Sequence, residues 1–144
     1  MGLFDFVKEA GKMIGIGDDE LDADKLKSAV KEAGLDDSGI EVNVDGDKAI
    51  VTGHVSSQEE MEKIVLAIGN NKGVASVESL IEVESSQPEA AFYTVKSGDT
   101  LSQIAKTQYG NAGKYPVIFD ANKPMLNDPD KIYPGQVLRI PPIG

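Results

Sequence analysis

The chain of 144 residues has no cysteine, no tryptophan and a single histidine, His54. Without cysteine there are no disulfides, no thiolate metal ligands and no cysteine nucleophile, which fits a reducing compartment. One histidine excludes a histidine cluster for zinc. No stretch approaches the roughly 20 apolar residues of a membrane span. Near the start, Asp5, Lys8, Glu9 and Lys12 break the apolar run that a secretory signal needs. These absences lead us to expect a cytoplasmic protein without a membrane span, and a monomer.

Positive charge is scarce as well. The net charge is −10, and it is unevenly placed. Residues 1–87 carry 19 acidic and 8 basic residues, a balance of −11, whereas residues 88–144 carry 5 and 6, a balance of +1. Phosphate binding needs a basic patch, so nucleic acid is not expected as a partner. The field of the acidic half instead concentrates cations, unless it is only a solvated surface that aids solubility.

What is present divides the chain in two. Leu3, Phe6, Val7, Ala10 and Ile14 recur at helical spacing and predict an amphipathic helix over 3–14, docked on the protein's own core, with Gly15 and Gly17 breaking it. Leu26, Ala29, Val30 and Ala33 predict a helix over about 22–33 that stops at Gly34. Ile40, Val42 and Val44 alternate with polar residues as a half-buried strand, Asp45-Gly46-Asp47 turns the chain, and Ala49–Thr52 returns until Gly53 ends it. Ser57 with Glu60 forms a capping box for a third helix striped by Met61, Ile64, Val65 and Ile68. The segment Gly69-Asn70-Asn71-Lys72-Gly73 ends that helix, its two glycines suiting left-handed or turn conformations. Val77, Ile81 and Val83 mark the last strand.

After a polar linker, SSQPEAA at 85–91, a second pattern starts. Tyr93-Thr94-Val95 reads as a strand, and Ser97-Gly98-Asp99 as a turn. Thr100 caps a helix carrying Leu101, Ile104 and Ala105. Another helix runs over about 114–121, and Val137–Ile140 closes the pattern after the Pro134-Gly135 turn. The fold class is α+β: a small α-β-β-α-β domain, then β-α-α-β, preceded by the N-terminal helix. The expected divisions are 1–20 for that helix and its glycines, 21–84, a linker at 85–91, and 92–142. Two cores of this size are marginal alone, so the modules are expected to lean on each other or on a ligand.

The second pattern closely resembles the LysM family. The carrying residues are Tyr93 to Leu101, Ile104-Ala105, Ala121-Asn122 and Tyr133 to Pro141. The first resembles the BON family through Val42-Asn43-Val44, Ala49-Ile50-Val51-Thr52-Gly53 and Gly73-Val74-Ala75-Ser76-Val77. With the opening residues Met1 to Val7 and the segment Lys131 to Pro141, the whole is similar to a bacterial BON–LysM family that binds potassium. That resemblance implies a cytoplasmic protein that binds K⁺ and changes conformation on doing so, as a K⁺ sensor would.

Three function classes were weighed. Catalysis is not expected: the acids fall on helix faces and turns, His54 follows Gly53 at a strand end, and the glycines at 11, 15 and 17 lack the setting of a phosphate loop. Glycan binding is the alternative function, with peptidoglycan fragments as partners. The LysM resemblance implies a groove with Gly98, Asp99, Thr100 and Leu101 on one side and Asn122, Lys123, Ile132 and Tyr133 on the other. The same Gly98-Asp99 also makes a turn, and Thr100 also caps a helix.

Potassium is the third class. Main-chain carbonyls replace the hydration shell of K⁺ well, and helix C-termini present unpaired carbonyls at the negative end of a dipole. Two such ends lie in the acidic half, at Val7–Lys12 and Gly69–Val74. By themselves they read as ordinary helix caps; the resemblance turns the reading toward an ion site. The candidate carbonyls are those of Val7, Ala10, Lys12, Gly69, Asn71 and Val74.

Overall fold

The computed structural model describes residues 2–6, 22–71, 73–85, 90–123, 125–126 and 128–142. The elements run β1 (Gly2–Asp5), α1 (Ala23–Glu32), β2 (Ile40–Asp45), β3 (Lys48–Ser57), α2 (Gln58–Gly69), β4 (Ser76–Ser85), β5 (Ala91–Thr94), α3 (Leu101–Tyr109), a 3-10 turn (Ala112–Lys114), α4 (Tyr115–Ala121) and β6 (Val137–Ile140). The fold is α+β, a β-α-β-β-α-β unit followed by β-α-α-β.

The expected N-terminal helix needs correction at its start. Gly2–Asp5 is a strand, antiparallel to β4 at the edge of a sheet ordered β1-β4-β3-β2. Two periodicities compete in this short stretch. Leu3 and Phe6 are spaced as on a helix, but Phe4 and Phe6 also alternate with Leu3 and Asp5. The structure realises the alternation: Phe6 is buried and Phe4 packs on the core, while Leu3 is 61% exposed. A period of two places both aromatic rings on one face, where the sheet buries them. The rest of the expected helix, 7–14, lies outside the described residues.

The second correction concerns Gly53, which does not end the returning strand. β3 continues through it to Ser57, in parallel register with β4 from Lys48↔Ser76 to Ser57↔Ser85. The backbone of Gly39 approaches Gly53 so closely that a Cβ would lie 2.2 Å from the Gly39 carbonyl oxygen, and φ is +139°. Glycine is needed there for a close approach inside a strand rather than for a stop. His54 accordingly sits within β3, exposed. The other expected strands shift slightly: β5 begins at Ala91, and Val95 lies beyond it.

The helices start as their cap residues direct. Asp22 accepts from the Asp24 amide, Ser57 from that of Glu60 and Thr100 from that of Gln103, at 2.9, 3.2 and 3.2 Å. Each bond satisfies an orphan amide of a first turn. The apolar faces of α1 and α2 then cover one side of the sheet, burying Leu26, Val30, Ile64, Val65 and Ile68 against Val51 and Val77.

The two units share a packed boundary. Val137 of β6 belongs to the first core, and Phe92 and Met125 pack against it. Phe4 and Phe92 stack at 4.9 Å with 30° between the rings. A separate, smaller core forms around Val95, Leu101, Ile104, Ala105, Ile118, Leu126, Leu138 and Ile140.

Candidate functional site

The end of α2 is where the sequence-derived ion site meets the structure. Of the last four carbonyls of the helix, three find partners within the chain. Asn70 N–H donates to Leu66 O at 3.0 Å, and the buried Asn71 amide donates to Ala67 O and Ile68 O, both at 2.7 Å. No hydrogen bond from a described residue reaches Gly69 O. The last turn holds no basic residue, and Lys72 beyond it lies outside the described residues.

Gly69 is helical, and its role differs from the expected left-handed turn. A Cβ at this position would lie 2.1 Å from Cζ of Phe6, so the glycine makes room for an aromatic ring. Gly73 does take the left-handed conformation, with φ of +104°. Phe6 N–H donates to Ala75 O at 2.9 Å, and Val74 N–H to Asn71 O at 3.2 Å. The chain therefore reaches Phe6 already pinned to the loop after α2. Of the six candidate carbonyls, the structure places Gly69, Asn71 and Val74 on this loop. Val7, Ala10 and Lys12 lie outside the described residues.

The residues of the alternative glycan groove serve several structural purposes. Gly98 turns the chain with φ of +88°, and Thr100 caps α3. Asp99 accepts from Tyr93 Oη at 2.6 Å and from Lys96 N at 2.9 Å. These bonds hold its carboxyl below the usual carboxylate range, and the same Tyr93 contact raises the phenol above its own. Leu101 is buried in the second core and Ile132 packs on it. Lys123 pairs with Asp120 at 3.2 Å and lies 4.6 Å over the Phe119 ring. The Asn122 side chain is fully committed: its amide donates to Ile118 O and Arg139 O, and its oxygen accepts from Arg139 N at 2.7 Å. Tyr133 faces elsewhere, lining a cleft against the first unit.

Sequence reasoning missed what joins the units. Glu62 and Arg139, 2% and 7% exposed, form a buried ion pair at 2.7 Å. Glu62 also accepts from Gln58 Nε2 and from the Ala90 amide, so one carboxylate gathers α2, the chain entering β5, and β6. Asn70 brackets β6, donating to Val137 O and accepting from Val137 N, each at 2.9 Å. One signal was legible: Arg139 is the only arginine among 14 basic residues and stands inside the apolar run Val137-Leu138-Arg139-Ile140. An arginine in that setting requires a buried partner.

Two family models match the chain, the BON domain over residues 18–85 and the LysM domain over 93–141. The chain is 49% identical to the potassium binding protein Kbp of Escherichia coli O6:H1 (strain CFT073) over 147 aligned positions, covering 98% of this chain and 99% of that one. The chain belongs to this BON–LysM family. It is also 33% identical to an uncharacterized protein of Deinococcus radiodurans, covering 95% of this chain and 58% of that longer protein. BON and LysM domains are non-catalytic, and the chain is not an enzyme. Among the described residues, no group of three or more His, Cys, Asp or Glu is arranged to hold a metal ion. No described helix is long and apolar enough to cross a membrane.

Proposed function

We propose that this protein binds potassium through main-chain carbonyls where the chain beyond Phe6 meets the loop after α2. The observation that carries the reading is the seating of Phe6 on Gly69 and Ala75. It brings the residue that precedes the Val7–Lys12 segment to the C-terminus of α2, where Gly69 O accepts no hydrogen bond from a described residue. Full-length similarity to a protein named for potassium binding supports the choice of ion. The ligand set is that expected from the sequence: carbonyls of Val7, Ala10 and Lys12 with those of Gly69, Asn71 and Val74. An ion held there would tie the N-terminal segment to α2. Because Asn70 of the same turn brackets Val137, occupancy would be felt by the LysM domain, and the protein would act as a cytoplasmic, monomeric K⁺ sensor.

The test is thermal unfolding of the ion-free protein in matched KCl and NaCl. Binding to the folded form alone stabilises it by roughly 2.7 kcal/mol at a hundredfold excess over Kd. Sodium should stabilise less at equal ionic strength. Equal melting temperatures at every concentration would reduce the effect to screening of an acidic surface and end the proposal.

Glycan binding remains the second reading because the LysM model matches 93–141. Gly98 and Lys123 are exposed and open to a ligand, but Asn122 is not. Saturable amide shifts at Gly98–Leu101 with chitin oligomers or peptidoglycan fragments would promote it; none at millimolar ligand would remove it.

A further inference from the structure

The BON and LysM domains enclose a cleft of about 740 Å³ between them, within the range of small-ligand sites. Its BON wall is made by the C-terminal ends of both helices: Glu32, Ala33 and Gly34 from the end of α1, and Asn70 and Asn71 from the end of α2. Two helices of 10 and 12 residues thus direct their negative dipole ends at one space. Three of the last four carbonyls of α1 are already satisfied, those of Ala29, Val30 and Lys31, as are three of the four on α2. The dipole ends are therefore rigid, not frayed.

The LysM wall adds Asp128, Tyr133 and the apolar Met125 and Leu126. Tyr133 stands apart from two other tyrosines of the domain. Tyr93 donates to Asp99, and Tyr109 to Pro141 O. Tyr133 Oη makes no hydrogen bond with a described residue, although the side chain is half-buried and burial pushes its phenol above the ordinary range. The wall is held in place from behind, since the Tyr133 amide donates to Gln136 Oε1, and Asn70 ties Val137 to α2. Among the described residues, one cation, Lys131, also lines the cleft; its side chain is exposed.

From this arrangement we infer a second binding site, for a small organic amine, in the cleft between the domains. Its ammonium would lie toward the helix ends and the Glu32 and Asp128 carboxylates, and its methylene chain against Met125, Leu126 and the Tyr133 ring. An aromatic face and a free phenol oxygen both favour an ammonium. The apolar wall gives an organic cation an advantage over an inorganic one, whose hydration shell gains nothing from methylene and thioether surface.

The probe is 1,4-diaminobutane, titrated into the full chain in saturating KCl at constant ionic strength, with 1,4-butanediol and succinate as controls. Backbone amide shifts should be saturable at Gly34, Asn70, Asn71 and Tyr133 with the diamine, and absent with the diol and the diacid. Glu32→Gln and Asp128→Asn should each weaken the diamine by about 3–5-fold, and Lys131→Gln should strengthen it by a similar factor, as expected for partly exposed charges. No saturable shift, equal binding of succinate, or insensitivity to all three substitutions would overturn the inference. The potassium reading is judged separately, by the KCl-against-NaCl melting difference of Glu32→Gln/Asp128→Asn. If that difference persists while wild-type protein ignores the diamine, only the cleft proposal fails. If the diamine binds while KCl and NaCl act alike, only the potassium proposal fails.

Discussion

The BON and LysM domains solve the problem of a small core differently. The BON domain has a four-stranded sheet, two helices on one face and a core that reaches into its neighbour. Among its described residues, the LysM domain has two strands and a compact cluster of eight buried apolar residues. The first carries nearly all the negative charge, and the second is close to neutral. The polar ties between them cluster at α2, which supplies Glu62 and is capped by Asn70, beside the Phe4–Phe92 stack from β1. The comparison teaches that the larger domain lends the smaller one a wall, and that the lending depends on a few polar groups. Hydrophobic burial favours contact without fixing geometry, whereas a buried ion pair and a bracketed strand leave one register.

The sharpest way to break the comparison is to leave one charge of the buried pair alone. Glu62→Ala should cost about 3–5 kcal/mol, because the Arg139 guanidinium stays buried without its carboxylate. Urea unfolding should report it, and LysM probes should be lost first. Glu62→Leu with Arg139→Met should recover most of the loss, since two apolar side chains carry no desolvation penalty. If the single change cost no more than a surface substitution, the domains would not be coupled through this pair.

Removing the second tie should do less. Asn70→Ala strips both bonds to Val137 and should cost about 1–3 kcal/mol. It should also separate one unfolding transition into two, seen as non-coincident curves for probes in the two domains. A single coincident transition in Asn70→Ala would assign the coupling to Glu62–Arg139 and the Phe4–Phe92 stack alone.

Gly69→Val tests the BON side by itself. The new side chain would collide with the Phe6 ring, and overpacking of this kind costs about 1–3 kcal/mol. Pairing it with Phe6→Ala should give a double-mutant cost well below the sum of the singles, because the same volume is contested. Additive costs would mean that Phe6 does not rest on Gly69. The substitution should also diminish the KCl-specific melting shift if the ion is held at this turn.

The smallest effect belongs to the LysM side, at Asp99. Its folded carboxyl titrates below the ordinary aspartate range, held down first by the Tyr93 hydroxyl and then by the Lys96 amide. The stabilisation is therefore present above pH of about 3.8 and is lost as pH falls through the lower folded value. Asp99→Asn should lower stability slightly at neutral pH, where the charged form contributes, and flatten the acid limb of LysM unfolding below pH of about 4. An unchanged acid limb would mean that the turn does not rely on the charged form.

Much of the fold was legible because it follows from local rules. Ser57 and Thr100 cap helices wherever the chain goes on to place them, and Ile40-Val42 alternate with a period that only a strand presents to one face. Gly2–Phe6 was misread because five residues do not distinguish a period of two from one of 3.6; pairing with β4 decided it. Gly53 was misread because a glycine needed for close approach looks, in one dimension, like a glycine that stops a strand. Of the proposed ion site, the end of α2 near Gly69 was legible, but not that the Asn71 amide pairs the carbonyls of Ala67 and Ile68. The packing of Phe6 on Gly69 was not, because it joins residues 63 positions apart.

Composition alone excluded cysteine chemistry and histidine clusters, and concentrated the negative charge in one half. Periodicity and caps determined the helices and most strands. Only the tertiary structure decided which polar residues are structural: Asn122 looks like a ligand contact in sequence and is a clamp on β6, and Glu62 looks like one more surface acid and is the buried partner of the single arginine. The physical reason is that a side chain's role depends on whether water or protein surrounds it. Water exposure at one position is set by residues far along the chain, so no local pattern carries it.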